Sequence, residues 1–298
     1  MRIAVVTTSY PTFEGDPSGH FVKNEVLELE REGHDVTIIT PRAGGAFGWP
    51  GAAARISEKP HRAFEAAGWL AKATLAVRRA NPERLIAHWC VPCAWPIARS
   101  LPASCSLDIV SHGGDVRLLR RLPSPMRTSI VRRLLARATG WRFVSRSLLE
   151  ELEGVLDPDD AKDLRALVEI APSPLGMLDV RAEVAARREE LGDRRLYVCA
   201  GRLIPSKRVD KVIDYVASER TDAPRVLVVL GDGPQRTHLE RLARAWQLDV
   251  RFLGTKSRRE TLGWIGAADE VVHASKAEGL STVIREAEEL GVPVTILP

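Results

Sequence analysis

The sequence of 298 residues lacks any long apolar segment. No window approaches the roughly 18 uninterrupted apolar residues that a membrane-spanning helix needs. Residues 1–6 turn polar at Thr7 without a long apolar centre or a small-residue cleavage site, which is not the pattern of a signal peptide. These two absences predict a cytoplasmic protein.

Cysteine is scarce as well. Cys90, Cys93, Cys105 and Cys199 are too few for a disulfide framework in a chain of this size and fit a reducing compartment. Cys90 and Cys93 form a Cys-x-x-Cys motif, and with His88 they offer three metal-ligand side chains. The rest of the chain follows no thioredoxin plan, and no fourth ligand is near in sequence. We therefore interpret the cysteines as buried packing residues and predict no metal site.

Acidic residues are missing from residues 116–149, although the chain as a whole carries only +4. Nine arginines fall in this arginine-rich stretch: Arg117, Arg120, Arg121, Arg127, Arg132, Arg133, Arg137, Arg142 and Arg146. Because they alternate with apolar residues, the stretch is either a solvated helical face or a basic amphipathic surface. Such a surface fits an anionic membrane or a phosphorylated glycolipid. Nucleic acid is not predicted as a partner, because no aromatic stacking platform accompanies the charge.

Buried strands and amphipathic helices alternate along the chain. A strand at 3–6, a Gly/Pro/Ser loop at 11–19, a helix that stops at Gly33 and a strand at 36–39 open a doubly wound α/β domain. Further strands are predicted at 85–87, 108–110, 142–144, 168–170, 196–200, 226–230, 250–253, 270–273 and 294–297. We predict two α/β domains, residues 1–180 and 181–298, with the join after the turn at 171–174. Residues 44–65 are weakly patterned.

The strongest chemical signal is the segment Glu278 to Glu286, between a predicted strand and an amphipathic helix. Glu278 lies in the loop and Glu286 in the second turn of the helix. The backbone N–H groups from about Gly279 onward are available to an anion at the helix start. Carboxylates do not bind phosphate, but they accept hydrogen bonds from sugar hydroxyls. The arrangement suits a ligand with sugar, phosphate and ribose in a row.

A second segment supplies cations. Arg202 and Lys207 flank the loop after the strand at 196–200, at the carboxyl edge of the predicted sheet, where open α/β sheets bind ligands. Arginine makes bidentate phosphate contacts and lysine is a compact point charge. Together they can hold a diphosphate without a metal.

With these motifs the chain resembles the retaining nucleotide-sugar glycosyltransferases of family 4. The matching segments occur in order along nearly the whole chain: Gly19-His20-Phe21-Val22, Gly33-His34-Asp35-Val36, His88-Trp89, Ser111-His112-Gly113-Gly114-Asp115, Val144-Ser145, Pro174-Leu175-Gly176, Gly201-Arg202, Gly231-Asp232-Gly233-Pro234, Phe252-Leu253-Gly254 and the Glu278-x7-Glu286 pattern with Gly291-Val292-Pro293-Val294. The resemblance implies the GT-B fold, which consists of two facing Rossmann-like domains with doubly wound parallel sheets. It also implies a metal-independent transfer of a sugar from a nucleoside-diphosphate-sugar to a glycan or glycolipid.

The resemblance further implies a role for each matching residue. Arg202 and Lys207 hold the donor diphosphate and stabilise it as a leaving group. Glu278 contacts the transferred sugar, and Glu286 accepts from the ribose hydroxyls. The remaining donor-binding residues are those of the glycine-rich loops and the helix start: Gly19, Gly231, Gly279, Leu280 and Ser281. His112 lies by the sugar, and Glu278 joins Arg202, Lys207 and His112 in the catalytic set. The nucleotide-sugar is a co-substrate, and no cofactor is expected.

This chain departs from the family pattern at several places. Ser18-Gly19 replaces a common Gly-Gly, Lys207-Arg208 a common Lys-Gly, and His273-Ala274-Ser275 stands where a Pro-Ser pair is common. The sequence ends at Pro298 after a strand, where family members continue through a closing segment, so the resemblance implies a truncated second domain. Two alternatives to transfer follow: a non-catalytic nucleotide- or partner-binding relative, and a GT-B sugar-nucleotide epimerase.

One motif imitates a metal site of other glycosyltransferases. Asp157 and Asp159 form an Asp-x-Asp, followed by Asp160. No strand leads into it and a polar helix follows, so we predict an exposed acidic helix start.

Overall fold

The apolar runs of the sequence form parallel strands in the computed structural model, which describes residues 1–12, 16, 18–42, 44–47, 52–275 and 280–298. These residues divide into two compact units, residues 1–12 with 18–174, and residues 175–298. Each unit is built around a parallel sheet of its own. The predicted fold class, two doubly wound α/β domains, is confirmed.

The described part of the first unit holds a six-stranded sheet in the order β2-β1-β3-β4-β5-β6. Its strands are β1 (Arg2–Val6), β2 (Asp35–Ile39), β3 (Arg84–His88), β4 (Ser106–Ser111), β5 (Gly140–Phe143) and β6 (Val168–Ile170). Its helices are α1 (His20–Arg31), α2 (Ala52–Glu58), α3 (Arg62–Ala80), α4 (Gly114–Arg121), α5 (Ser124–Leu135), α6 (Arg146–Glu153) and α7 (Pro158–Leu167). Two short turns, Cys90–Ala94 and Ile97–Ser100, follow β3. Strand β1 is central, with Val5 paired to Ile38 on one side and to Ile86 on the other.

The described part of the second unit holds a five-stranded sheet in the order β11-β10-β7-β8-β9. The elements in chain order are α8 (Arg181–Leu191), β7 (Arg195–Ala200), a short 3₁₀ turn (Pro205–Lys207), α9 (Val209–Ser218), β8 (Arg225–Leu230), α10 (Arg236–Ala245), β9 (Asp249–Gly254), α11 (Arg258–Ala267), β10 (Glu270–His273), α12 (Thr282–Glu289) and β11 (Val294–Ile296). All described strand pairs are parallel.

The alternation of side chains along β8 shows why this sheet is covered on both faces. Val226 and Val228 pack into one hydrophobic cluster with Trp264 of α11, whereas Leu227 and Val229 pack into another with Val212 and Leu239, of α9 and α10. All four strand residues are at most 1% exposed. A strand that is buried on both faces is a continuous apolar run in the sequence, which is why this strand was predictable.

Both sheets contain a topological switch point. In the first unit it lies between β1 and β3, and in the second between β10 and β7, because the chain runs outward from these neighbours in opposite directions. The carboxyl ends of the strands at such a point leave a crevice between diverging loops, and open α/β sheets bind ligands there.

Helix α3 was not predicted as an element. It begins inside the weakly patterned residues 44–65, and only Ala73 and Val77 are buried along its 19 residues. A helix with so narrow an apolar stripe gives little periodic signal. None of the helices in the described ranges has the length and hydropathy needed to cross a bilayer.

Candidate active site

In the second unit, three glycine loops interlock beyond the carboxyl ends of β7, β8 and β9. Gly201 donates its N–H to Leu230 O at 2.9 Å, and Gly231 donates to Gly254 O at 2.8 Å. Gly231 has φ of +122°, and a Cβ there would lie 2.0 Å from the carbonyl oxygen of Gly201. Only glycine fits this close approach. The loops are thus held together at the edge where Gly231 was predicted to bind the donor.

Lys207 lies over the end of β7. Its Cδ and Cε atoms are 3.9 Å from the position that a Cβ on Gly201 would occupy. Burial, and after it the positive charge of Lys207, lower the pKa of His273, at the end of β10, to about 4. The positive charge of Lys207 therefore influences the ends of β7 and β10, the two strands of the switch point. Arg202 is half-buried in the same loop, and burial lowers its pKa.

Glu286, the predicted ribose acceptor, is almost fully buried in the second turn of α12 at 2% exposure. Arg258, the first residue of α11, donates from Nη1 to Oε1 of Glu286 at 2.5 Å. Its Nη2 donates to the carbonyls of Leu175 and, at 3.4 Å, Gly176. Arg258 thus connects the carboxylate to the chain segment that enters this unit. No sequence pattern pointed to Arg258, which is 28 residues from Glu286.

The start of α12 is only partly described. Ser281 is the N-cap residue and is buried at 7% exposure, while Leu280 is 38% exposed. Helix α12 follows β10, so Leu280 and Ser281 share the carboxyl edge of the sheet with Arg202 and Lys207. Glu278 and Gly279, for which sugar and phosphate contacts were predicted, lie outside the described residues.

Arg208 shows what the departure from Lys-Gly means structurally. It is the N-cap of α9 and has φ of +50° and ψ of +43°, the left-handed conformation. This conformation is ordinary for glycine and costs other residues about 1–2 kcal/mol. The arginine here therefore adopts, under strain, a backbone conformation that a glycine would adopt freely.

In the first unit, Gly19 caps α1 with φ of +63°. A Cβ on Gly19 would lie 2.1 Å from the carbonyl oxygen of Ser9, so the loop after β1 must carry glycine to close on itself. The neighbouring Phe21 places its ring centroid 4.8 Å from that of His112. The predicted site residues Gly19 and His112 therefore belong to one edge of this sheet.

The backbone of His112 is anchored by the side chain of Asp115, which is 1% exposed. One oxygen of Asp115 accepts from the N–H groups of His112 at 3.2 Å and Gly113 at 3.0 Å, and the other accepts from Cys90 at 2.9 Å. Asp115 thus ties the segment after β3 to the segment after β4. Burial, and then the neighbouring His88 and Arg142, hold the pKa of His112 well below its usual value.

Trp89 is a further residue of this edge. Its ring centroid lies 4.9 Å from His112 and 6.3 Å from Phe21. Trp89 has φ of +74°, which is an outlier for a bulky side chain. Its backbone is pinned by a 2.7 Å hydrogen bond from its N–H to Val110 O. Strain of this kind accumulates at functional sites.

The Cys-x-x-Cys motif is a packing feature, as predicted. Cys90 and Cys93 are both 0% exposed, and no described cysteine forms a disulfide. Burial raises the pKa of both thiols well above the usual range, and the negative charge of Asp115 raises it further. Redox cysteines have the opposite shift.

The acidic cluster at α7 is a helix start, but the prediction that it is exposed was wrong for Asp160. This residue is 4% exposed, and its two oxygens accept from Nε of Arg132 at 2.8 and 3.0 Å. The ion pair with Arg132 offsets the free-energy cost of burying this carboxylate. Among the described residues there is no group of three or more His, Cys, Asp or Glu side chains placed to hold a metal ion.

Much of the arginine-rich stretch is engaged inside the first unit. Its intramolecular partners are carboxylates for Arg120, Arg132 and Arg142, and main-chain carbonyls for Arg127 and Arg137. Arg121, Arg133 and Arg146 are exposed. Leu118 and Met126 are also exposed, at 47% and 53%. Exposed basic and apolar side chains therefore remain on α4, α5 and the start of α6.

Comparison with known proteins assigns the family of the second unit. The family model described as "Glycosyl transferases group 1" matches residues 181–297. These residues form a glycosyl transferases group 1 domain.

Relatives named as glycosyltransferases match almost the whole chain. The putative teichuronic acid biosynthesis glycosyltransferase TuaC of Bacillus subtilis is 25% identical over 99% of this chain and 80% of its own length. The GDP-mannose-dependent alpha-(1-6)-phosphatidylinositol monomannoside mannosyltransferase of Mycobacterium tuberculosis is 26% identical over 98% of this chain and 79% of its own. The crystal structure of Anabaena Alr3699/HepE in complex with UDP-glucose superposes with a TM-score of 0.68 at 17% identity, covering 99% of this chain and 80% of that one. The fold is of the GT-B type, and the chain is a glycosyltransferase, as the sequence predicted.

Proposed function

We propose that this glycosyltransferase transfers a sugar from a nucleoside-diphosphate-sugar to a glycan or glycolipid with retention of anomeric configuration and without a metal. The observation that carries the proposal is the placement of two cations and a buried carboxylate on the segments that follow β7 and β10, the strands of the second switch point. Lys207 and Arg202 stand at the end of β7, and Glu286 is buried beside the start of α12. Two cations suit a diphosphate, and a held carboxylate suits ribose hydroxyls.

Arg202 and Lys207 would bind the diphosphate and stabilise it as it departs. In the proposed step the bond between the anomeric carbon and the diphosphate oxygen breaks, and a bond from that carbon to the acceptor oxygen forms on the same face. The acceptor proton passes to the departing phosphate. Charge develops on the leaving diphosphate, so fixed cations at that point lower the barrier.

Gly231, Leu280 and Ser281 are the other residues of the second unit that we assign to the donor, with Glu278 and Gly279 assigned from the sequence alone. Gly19 and His112 of the first unit keep the roles that the family resemblance implies. The nucleotide-sugar is the co-substrate, and we propose no cofactor. UDP is bound by HepE in its crystal structure, and GDP-mannose is used by the mycobacterial relative according to its name. Sugars carried by both nucleotides are therefore included in the panel of donors to be tested.

The test is to incubate the protein with UDP-, GDP- and ADP-sugars and to measure slow donor hydrolysis or transfer. We expect turnover with one donor class and a loss of about a hundredfold or more in Lys207→Ala. Lys211→Ala is the matched control, because Lys211 lies on the exposed side of α9 and pairs with Asp214 at 3.4 Å. Release of nucleotide with an epimerised sugar would favour the epimerase. Absence of turnover with nucleotide binding intact would favour a non-catalytic relative.

We also propose that the exposed arginines of α4 and α5 bring the enzyme to an anionic membrane surface where a glycolipid acceptor resides. A Lys or Arg near such a surface contributes about 1 kcal/mol. Arg121→Glu with Arg133→Glu should abolish sedimentation with anionic vesicles and leave donor hydrolysis unchanged. Arg78→Glu with Arg79→Glu, on the exposed side of α3, is the control. Equal sedimentation of the two double variants with anionic vesicles would refute the membrane contact.

A further inference from the structure

Four polar side chains form a continuous line inside the first unit, from β5 to the loop after β4. Arg142 of β5 donates from Nη2 to Oε2 of Glu25 on α1 at 2.5 Å. The same oxygen lies 3.9 Å from Nε2 of His88, the last residue of β3. Nδ1 of His88 lies 3.0 Å from Nε2 of His112. The line ends at the histidine proposed to meet the transferred sugar.

This line is shielded from water. The His88 side chain is fully buried, and the side chains of Glu25 and Arg142 are 14% and 19% exposed. The two histidine rings are nearly parallel, with centroids 5.2 Å apart and an interplanar angle of 16°, and meet edge to edge through their nitrogens. Among the described residues Nε2 of His88 has no hydrogen-bond partner, so the Glu25 carboxylate 3.9 Å away acts on it through its charge and not through a hydrogen bond.

The contacts select one tautomer of each histidine. Burial lowers the pKa of His88 to about 3, and His112 is shifted the same way, so both rings are neutral. A neutral ring has one N–H and one lone pair. If the proton of His88 were on Nδ1, its Nε2 lone pair would face the Glu25 carboxylate, which is repulsive in a low-dielectric interior. The proton therefore belongs on Nε2 of His88, and its Nδ1 accepts.

The tautomer of His112 follows from that of His88. Since Nδ1 of His88 accepts, Nε2 of His112 must carry its proton and donate across the 3.0 Å contact. Nδ1 of His112 is left with a lone pair, and within the described part of the chain it has no hydrogen-bond partner. A group that meets His112 through Nδ1 must therefore be a donor, such as a sugar hydroxyl.

We propose that Glu25, His88 and Arg142 are positioning residues that fix the ring orientation and the tautomer of His112, so that His112 presents an accepting Nδ1 to the substrate. Arg142 holds the Glu25 carboxylate by a hydrogen bond, the negative charge of Glu25 favours the proton of His88 on Nε2, and His88 orients His112 across the 3.0 Å contact. The inference rests on the proposed role of His112 at the sugar, but the tautomer itself is a property of the ligand-free protein.

The direct test is a two-dimensional ¹⁵N–¹H NMR spectrum of the imidazole rings in the ligand-free protein near neutral pH. We expect His88 and His112 each to be protonated at Nε2 in the wild type. In Glu25→Gln, which keeps the size of the side chain, we expect His112 to become a mixture of tautomers. Glu28→Gln, which removes the same charge from the exposed side of α1, should change neither ring. Protonation of His112 at Nδ1 in the wild type, or an unchanged tautomer in Glu25→Gln, would overturn the inference.

Kinetics provide a second readout that a merely structural role would not reproduce. We expect Glu25→Gln to lower kcat/KM about tenfold, as when the hydrogen bond from the substrate to His112 is weakened, and to have no further effect in a His112→Ala background. Equal losses in both backgrounds would mean that Glu25 acts independently of His112 and would contradict the inference. Failure of the proposed function would look different, with an unchanged kcat/KM in His112→Ala and the predicted tautomers still present.

Discussion

Arg258 and Glu286 form a nearly buried ion pair between α11 and α12, with side-chain exposures of 14% and 3%. The pair fixes the carboxylate that we assign to the ribose, and it links that carboxylate to Leu175 and Gly176 at the entry to the second unit. On this assignment, nucleotide recognition and the local stability of this domain depend on the same contact.

Arg258→Met should destabilise the protein and weaken donor binding. Removing one partner of a buried pair leaves an uncompensated charge and costs about 3–5 kcal/mol. We expect that loss in the free energy of unfolding from urea titrations, together with reduced affinity for the nucleotide in calorimetry. The control is Arg259→Met, because Arg259 is 53% exposed and pairs with Glu183 at 3.0 Å. Exposed pairs contribute about 0–1 kcal/mol. Equal losses in both variants would contradict the assignment.

Arg208→Gly should stabilise the protein. The substitution relieves the left-handed backbone at φ of +50°, which costs about 1–2 kcal/mol. Glycine also raises the conformational entropy of the unfolded chain, which lowers the stability by about 0.4–1 kcal/mol. A small net gain in the free energy of unfolding therefore remains. Thermal denaturation measures it, and Arg208→Ala, which keeps the strain and removes the charge, should show no gain. A lower melting temperature in Arg208→Gly would mean that the arginine side chain outweighs its backbone strain.

Stability should fall on acidification, and His88 should account for part of the slope. Burial lowers its pKa to about 3 from 6.5, so between these values the unfolded chain binds a proton that the folded chain does not. The stability that depends on a neutral His88 is fully present above pH 6.5 and is lost as the pH falls toward 3. We expect His88→Asn to reduce the slope of unfolding free energy against pH by up to about 1.4 kcal/mol per pH unit. The exposed His61→Asn is the control, and an identical slope in His88→Asn would contradict the prediction.

Asp115→Asn should both destabilise the first unit and reduce activity. The carboxylate accepts from three backbone N–H groups, and a hydrogen bond to a charged group contributes about 1.5–3 kcal/mol. An amide offers one accepting oxygen instead of two, so at least one N–H loses its partner. Urea unfolding and kcat/KM measure the two effects. Asp163→Asn, on the exposed side of α7, should change neither. Full activity in Asp115→Asn would show that His112 does not depend on this anchor.

The strands, the glycine loops and the helix starts were predictable because their causes are local. Val226 to Val229 are apolar in succession because both faces of the sheet are covered, and Gly231 stands where a backbone oxygen leaves no room for Cβ. Helix α3 gave a weak signal because it buries only two residues.

Side-chain partnerships across elements were not predictable. Glu25 meets Arg142 at a separation of 117 residues, and Arg258 meets Glu286 at 28. No periodicity records such a pairing, because it depends on how strands and helices are stacked. The same reason explains Asp160, whose carboxylate looks like one of three exposed acids in sequence but is buried in the fold and paired with Arg132.

The central claim is transfer of a sugar from a nucleotide with retention, and the most direct measurement is the anomeric configuration of the product. With the donor that the panel identifies, ¹H NMR during early turnover should show the new glycosidic bond in the configuration of the donor. It should also show nucleoside diphosphate released in equal amount, and both signals should be lost in Lys207→Ala. A product of inverted configuration, or undiminished turnover in Lys207→Ala, would contradict the account.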